Sequence, residues 1–218
     1  MERAARHGSL PVVEMLCEHF GAEVDDGGAL RWAAYNGHAS IVEMLVERFG
    51  ADVHARDNIA LRWAASNGQA YIVQMLVELF GADVHACDDE ALRWAASKGH
   101  AFIVDMLVKR FGADVHACDD EALRWAASNG QAYIVEMLVE RFGANVNARD
   151  DAALRLAAMY GHASVVEMLV ERFGADVHAR DDAALRLAAS NGHASVVKML
   201  VERFGVDAAQ AQSDLRPS

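Results

Sequence analysis

No apolar run in this chain approaches the roughly 18 residues that a membrane-crossing helix needs, because charged residues interrupt every one. The opening M-E-R-A-A-R-H-G-S-L lacks the basic start and apolar middle of a secretory signal. An intracellular, cytoplasmic location is therefore expected. Cysteine is scarce: Cys17, Cys87 and Cys118 are odd in number and show no framework spacing, as a reducing compartment allows. Basic residues are outnumbered, 20 Lys and Arg against 32 Asp and Glu, for a formal net charge of -12. Phosphate binding needs a basic face, so nucleic acid is not an expected partner, and basic partners are mildly favoured. There is no phosphate-cradling glycine loop, no H-E-x-x-H and no G-x-S-x-G. The carboxylates are periodic, with no acid/base pair set apart. No catalysis, cofactor, metal or small-molecule substrate is expected.

What the chain does have is repetition. Leu30, Leu61, Leu92, Leu123, Leu154 and Leu185 each open an L-R-[WL]-A-A segment at intervals of 31 residues. A partial copy precedes them at an offset of 29, where Ala4, Ala5, Gly8, Val12, Val13, Met15, Leu16 and Phe20 match Ala33, Ala34, Gly37, Ile41, Val42, Met44, Leu45 and Phe49. A fixed period of this size implies a solenoid in which each unit buries its apolar face against its neighbours. Within Asp88–Asp119, Asp88 or Asp89 can cap a first helix. Leu92, Ala95 and Ala96 give that helix a narrow buried face, and Gly99 ends it with a left-handed turn. A second helix is expected from Ala101 to Phe111 with Ile103, Val104, Leu107, Val108 and Phe111 on its apolar face. G-A-D-V-H-A-C-D-D-E then returns the chain to the next copy.

These residues carry a family resemblance. The run A-A-x-x-G-H-A-S-V-V-E-M-L-V-E-R-F-G-A-D-V-H-A from Ala157 resembles an ankyrin repeat, and the likeness recurs seven times over about residues 1–208. It implies an all-α, helix-turn-helix solenoid of about seven stacked repeats. The expected divisions are a capping copy at 1–29, copies at 30–60, 61–91, 92–122, 123–153 and 154–184, a last copy at 185–208, and a polar tail at 209–218. Ankyrin repeats usually run to 33 residues and open with T-P-L-H. Here A-L-R takes that place and the linker is shorter, so shortened or absent β-hairpin fingers are expected. Phe49, Phe80, Phe111, Phe142, Phe173 and Phe204 lie four residues after core leucines and are expected in the core. The family consists mostly of non-catalytic binding modules, so the resemblance implies a monomeric protein-interaction role, with the partner protein on the concave face of first helices. A structural spacer, or a fragment of a longer array without its own ligand, is the alternative. The family also includes substrates of an asparaginyl hydroxylase, and only Asn147 resembles their modified position, without the preceding acid.

Repetition turns each residue into a ladder. Trp32, Trp63, Trp94 and Trp125 follow the first-helix arginine, two beyond the core leucine. They suit either packing between helices or an interface hot spot, and Leu156 and Leu187 replace them later. The ladder of Arg31, Arg62, Arg93, Arg124, Arg155 and Arg186 could read acidic ligands, but Arg93, Arg124, Arg155 and Arg186 lie four residues after Asp89, Asp120, Asp151 and Asp182 and read as their local partners. The acidic clusters at 88–90, 119–121, 150–151 and 181–182 read as caps or as a ridge for a basic partner. His38, His100, His162 and His193, and the loop histidines His54, His85, His116 and His178, stand too far apart between copies to converge on zinc. Gln69, Gln131 and Asn147 replace three of the set as other hydrogen-bonding groups. The residues just before the turn glycine vary most. The expected contact surface is Trp63, Trp94 and Trp125 with Tyr35, Ser66, Asn67, Ser97, Lys98, Ser128, Asn129 and Tyr160.

Overall fold

The computed structural model describes residues 1–20, 22, 24 and 27–207, so the expected polar tail lies outside the described residues. These residues form fourteen helices and no strand. They fall into two compact units, Met1–Asp114 and Val115–Ser218. Unit 1 holds α1 (Glu2–Arg6), α2 (Leu10–Phe20), α3 (Gly28–Tyr35), α4 (Ala39–Glu47), α5 (Ala55–Ser66), α6 (Ala70–Glu78), α7 (Ala86–Lys98) and α8 (Ala101–Lys109). Unit 2 holds α9 (Ala117–Ser128), α10 (Ala132–Phe142), α11 (Ala148–Met159), α12 (Ala163–Glu171), α13 (Ala179–Ser190) and α14 (Ala194–Glu202). In each unit a first helix packs on its own second helix. Within each unit, first helices stack in sequence order as one layer and second helices as another.

The core follows the expected stripes. In α7, Leu92, Ala95 and Ala96 are buried; in α8, Ile103, Val104 and Leu107 are, joined by Met106 rather than Val108. Small alanines let first helices approach closely, while each buried leucine contributes roughly 1.5–3 kcal/mol. The phenylalanines depart from expectation: Phe49, Phe80, Phe111, Phe142, Phe173 and Phe204 are only half-buried. Helix α8 ends at Lys109, so Phe111 is carried out of the helical register. The preceding arginine lies over most of these rings, Arg110 at 5.7 Å from Phe111 and Arg172 at 5.6 Å from Phe173. They act as lids on the edge of the core.

The linkers hold a feature absent from the expected plan. Arg56, Asp57 and Asn58 are all left-handed (φ 51–56°), and the same triplet recurs at Cys87–Asp89, Cys118–Asp120, Arg149–Asp151 and Arg180–Asp182. A left-handed conformation costs a non-glycine residue about 1–2 kcal/mol, with Asn and Asp the most tolerant. Two side chains offset that cost. The ladder arginine reaches back to the turn's carbonyls: Arg62 Nε donates to Asp57 O (3.0 Å) and Nη2 to Arg56 O (2.7 Å), and Arg155 does the same at Asp150 and Arg149. Arg93, Arg124 and Arg186 also reach these carbonyls, while Arg62 and Arg124 pair in addition with Glu90 and Glu121 rather than with an acid four residues earlier.

The triplet's last residue is buried and bridges copies. Asn58 Oδ1 accepts from the Asp83 backbone N–H (2.9 Å) and from His54 Nδ1 (3.2 Å). Asp120 does so from Asn145 N (2.8 Å) and His116 Nδ1 (2.9 Å). Asp89 and Asp182 likewise accept from His85 and His178. The acid expected to cap its own helix thus ties one copy to the next, and the loop histidine is its donor. Asp151, with Asn147 in the histidine's place, keeps only the bond from Asp176 N (3.0 Å). Burial raises its carboxyl pKa above the usual range, and that backbone N–H draws it part of the way back.

The turn histidines have an equally structural role. His100 Nε2 donates to Ser66 O (3.0 Å), the orphan carbonyl at the end of the preceding first helix, and His162 does so to Ser128 O (2.9 Å). Gln69 substitutes as donor to Tyr35 O (3.2 Å). The ring lies flat on the preceding turn: a Cβ at Gly68, where φ is 77°, would sit 2.9 Å from His100 Cε1. Glycine is needed there twice over, for the turn and for the ring.

Candidate functional site

With histidines, linker acids and ladder arginines committed to the scaffold, the first-helix face of unit 1 stands apart. Trp32 and Trp63 meet edge to face at 5.1 Å (83°), and Tyr35 packs against both, 6.1 Å from Trp32 and 5.6 Å from Trp63. Such contacts between aromatic rings are worth about 0.5–1.5 kcal/mol beyond burial, so the rings do hold neighbouring copies together. None is fully buried, however; all three are half-exposed. Their outer edges, with Arg6, Ser66 and Trp94, line a groove of about 410 Å³. The indoles therefore pack with one side and face the groove with the other.

Cations border this groove. The Arg6 guanidinium lies 4.6 Å from the Trp32 ring centre, and Arg31 lies 5.3 Å from Trp63. At the far end Lys98 Nζ is 5.8 Å from Trp94, whose Nε1 donates to Glu90 (3.1 Å). Glu90 is itself paired with Arg62. Arg6, Arg31 and Lys98 thus surround indole faces, a favourable use of the ring quadrupole.

Of the expected contact residues, the structure gathers Trp63, Trp94, Tyr35 and Ser66 around one groove. Asn67 is exposed, but its amide donates to Tyr35 O (2.7 Å). Ser97 is only 6% exposed, so the contact expected of it has no surface to act through. Trp125, Ser128, Asn129 and Tyr160 belong to unit 2. There Ser128 Oγ and Asn129 Nδ2 both donate to Trp125 O, closing α9, while Tyr160 is 52% exposed. Sequence reasoning missed Trp32 and Arg6 as groove residues. The signal for Arg6 was present: at the offset of 29, it is the first copy's counterpart of Tyr35.

A model of ankyrin repeats, built of three copies, matches residues 1–57, 61–150 and 149–212. The chain belongs to the ankyrin-repeat family. Ankyrin repeats generally mediate protein–protein interactions, and the groove lies on the first-helix layer of this ankyrin-repeat protein. No curated protein matches the chain. No helix among the described residues is long and apolar enough to cross a membrane. The left-handed turns stand where the family's strand-paired fingers were expected to be shortened or absent, and no strand occurs among the described residues of this ankyrin-repeat protein.

Proposed function

We propose that this chain is a non-catalytic protein-interaction module that takes a partner protein on the first-helix face, centred on the groove of unit 1. The carrying observation is that the scaffold does not need tryptophan there: Leu156 and Leu187 occupy the same position in unit 2 among the same turns and the same interlocking hydrogen bonds. Half-exposed indoles at a position that leucine can fill suit hot spots, where one side chain contributes more than about 2 kcal/mol to binding. The contact set is Trp32, Trp63 and Trp94 with Tyr35, Ser66 and Arg6. Trp125 and Tyr160 offer a further exposed surface in unit 2.

Capture from a lysate of the source organism, with the intact chain beside Trp63→Leu/Trp94→Leu, tests this reading. A protein retained saturably by the first and lost by a still-folded second supports it. If nothing saturable is retained, or if both chains retain the same protein equally, the aromatic groove is packing alone and the spacer reading takes its place.

A further inference from the structure

Most guanidiniums in this protein are engaged. Arg48 sits on Glu14 and Glu18, Arg172 on Glu136 and Glu140, Arg203 on Glu167 and Glu171, and the ladder arginines clamp turn carbonyls. Arg3 and Arg6 differ. Both are exposed, and neither forms an ion pair among the described residues. At the offset of 29, Arg3 holds the first copy's place in the tryptophan ladder, and Arg6 that of Tyr35. The first-helix face therefore runs from a cationic rung to rungs of indole. A second hollow of about 500 Å³, lined by Glu2, Arg3, Arg6, His7 and Trp32, adjoins the aromatic groove and shares Arg6 and Trp32 with it.

We propose that this groove takes an acidic segment of a partner protein, with a carboxylate on Arg3 and Arg6 and an apolar side chain in the hollow between Trp32, Trp63 and Trp94. The proposal rests on the interaction reading above and names its ligand. Adjacent packed helices lie about 8–10 Å apart, and an extended chain advances about 3.3–3.6 Å per residue. The hollow between the indoles is centred on Trp63 of α5, two helix spacings or about 16–20 Å from α1, so the acidic residue and the apolar anchor are about five positions apart in the bound segment. Anchor and carboxylate answer different needs: the first covers indole edges now in water, and the second supplies the anion that two exposed guanidiniums lack.

The net charge of -12 opposes such a ligand at long range. Screening limits that objection, because charges beyond a Debye length of about 8 Å at physiological salt contribute little. The acid that lines the second hollow is Glu2, itself 3.8 Å from Arg31; Glu90, at the other end of the groove, is held by Arg62. A short segment with one or two carboxylates feels this local field. A nucleic acid offers bases to the indoles, but its phosphates extend along the strand over the acidic remainder of the surface, where many contacts must be favourable at once.

The test is selection of a library of random peptides, about twelve residues long, on the intact chain, with counter-selection on Trp63→Leu/Trp94→Leu. The expected result is enrichment of Asp or Glu about five positions from Leu, Phe or Trp. The best peptide should bind at least tenfold more weakly to Arg3→Gln/Arg6→Gln, weaken with added salt, and resist competition by single-stranded oligothymidylate. Enrichment of basic or uncharged peptides that still require the tryptophans would overturn the acidic ligand and leave the interaction site standing. Displacement by the oligonucleotide at equal concentration would overturn it in favour of nucleic acid. Recovery of no tryptophan-dependent peptide would remove both this proposal and the groove as a peptide site.

Discussion

Units 1 and 2 are built on the same frame and carry different faces. Each has left-handed turns clamped by a ladder arginine, a buried Asn or Asp joining consecutive copies, and a turn histidine sealing the preceding helix. At the position after the arginine, however, unit 1 has Trp32, Trp63 and Trp94, while unit 2 has Trp125, Leu156 and Leu187. Residues whose hydrogen bonds form the frame recur in both units. Frame positions vary among hydrogen-bonding groups, as His and Gln at the turn or Asn and Asp in the linker, whereas the groove position changes from indole to leucine. Copying alone would preserve both sets equally, so the contrast separates what a copy needs to stack from what one region adds.

If the frame is common, its removal should cost the same in both units. Leu76→Ala and Leu169→Ala empty equivalent sites, both 0% exposed, and each should lose about 2–5 kcal/mol. Hydrogen exchange resolved by segment measures the loss in each unit separately. A loss several-fold greater in one unit would break the claim of a shared frame. Next in size is the linking residue. Asn58→Ala in unit 1 and Asp151→Ala in unit 2 each strand the backbone N–H of Asp83 or Asp176, at about 1–3 kcal/mol. Asp151→Asn should cost well under half of that, because Asn58 already makes the same bond.

How much of this was legible beforehand follows from where each residue finds its partner. Helices, turns and core read directly from the 31-residue period, since Leu92, Ala95, Ala96, Ile103, Val104 and Leu107 are all specified by local spacing. The left-handed triplets were not legible. Asn and Asp are common both in caps and at positive φ, and only a partner 25 residues on, as with Asn58 and Asp83, decides between them. Phe111 misled for a related reason, since a register of four holds only while the helix lasts and α8 ends at Lys109; Phe142 lies within α10, and as its last residue it is half-buried too. At the groove, the tryptophans were visible as a ladder, but Arg6 could be placed beside Trp32 only once adjacent copies were stacked. Ser97 shows the reverse, a variable position that the fold buries.

Exchanging the faces sharpens the contrast further. Trp63→Leu gives unit 1 the residue of unit 2 and removes the contacts to Trp32 and Tyr35, so a stability loss of about 1 kcal/mol is expected. Leu156→Trp should change stability by a similar or smaller amount and create no new binding, because unit 2 lacks the Arg3–Arg6 rung. Urea titration and peptide binding, measured on the same samples, separate the two effects. A loss above about 3 kcal/mol for Trp63→Leu would make the indole a frame residue. The outer helices offer a smaller test. Arg48 in unit 1 and Arg172 and Arg203 in unit 2 each bridge two glutamates of the preceding copy, whereas Leu79, 70% exposed, stands at the equivalent place in the copy that follows Glu43 and Glu47. Leu79→Arg should stabilise unit 1 by about 0.2–1 kcal/mol, and the gain should fade in high salt.

The smallest expected effect is confined to acid and again sets an Asn in unit 1 against an Asp in unit 2. Burial raises the Asp151 carboxyl above its ordinary 3.8, so the native state holds that proton more tightly than the unfolded chain does. This contribution favours folding while the group is protonated, and it is lost as pH rises from 3.8 through the raised native value. Asp151→Asn has no such proton. Relative to that variant, the natural protein should therefore gain stability as pH falls through the window, whereas Asn58→Gln, measured against the natural protein, should give a difference with no such pH dependence. Paired urea titrations from neutral pH down to the onset of acid unfolding read this difference directly. A difference that moves the opposite way would mean that the Asp176 backbone N–H outweighs burial, and that the linking acid of unit 2 is stabilised as an anion.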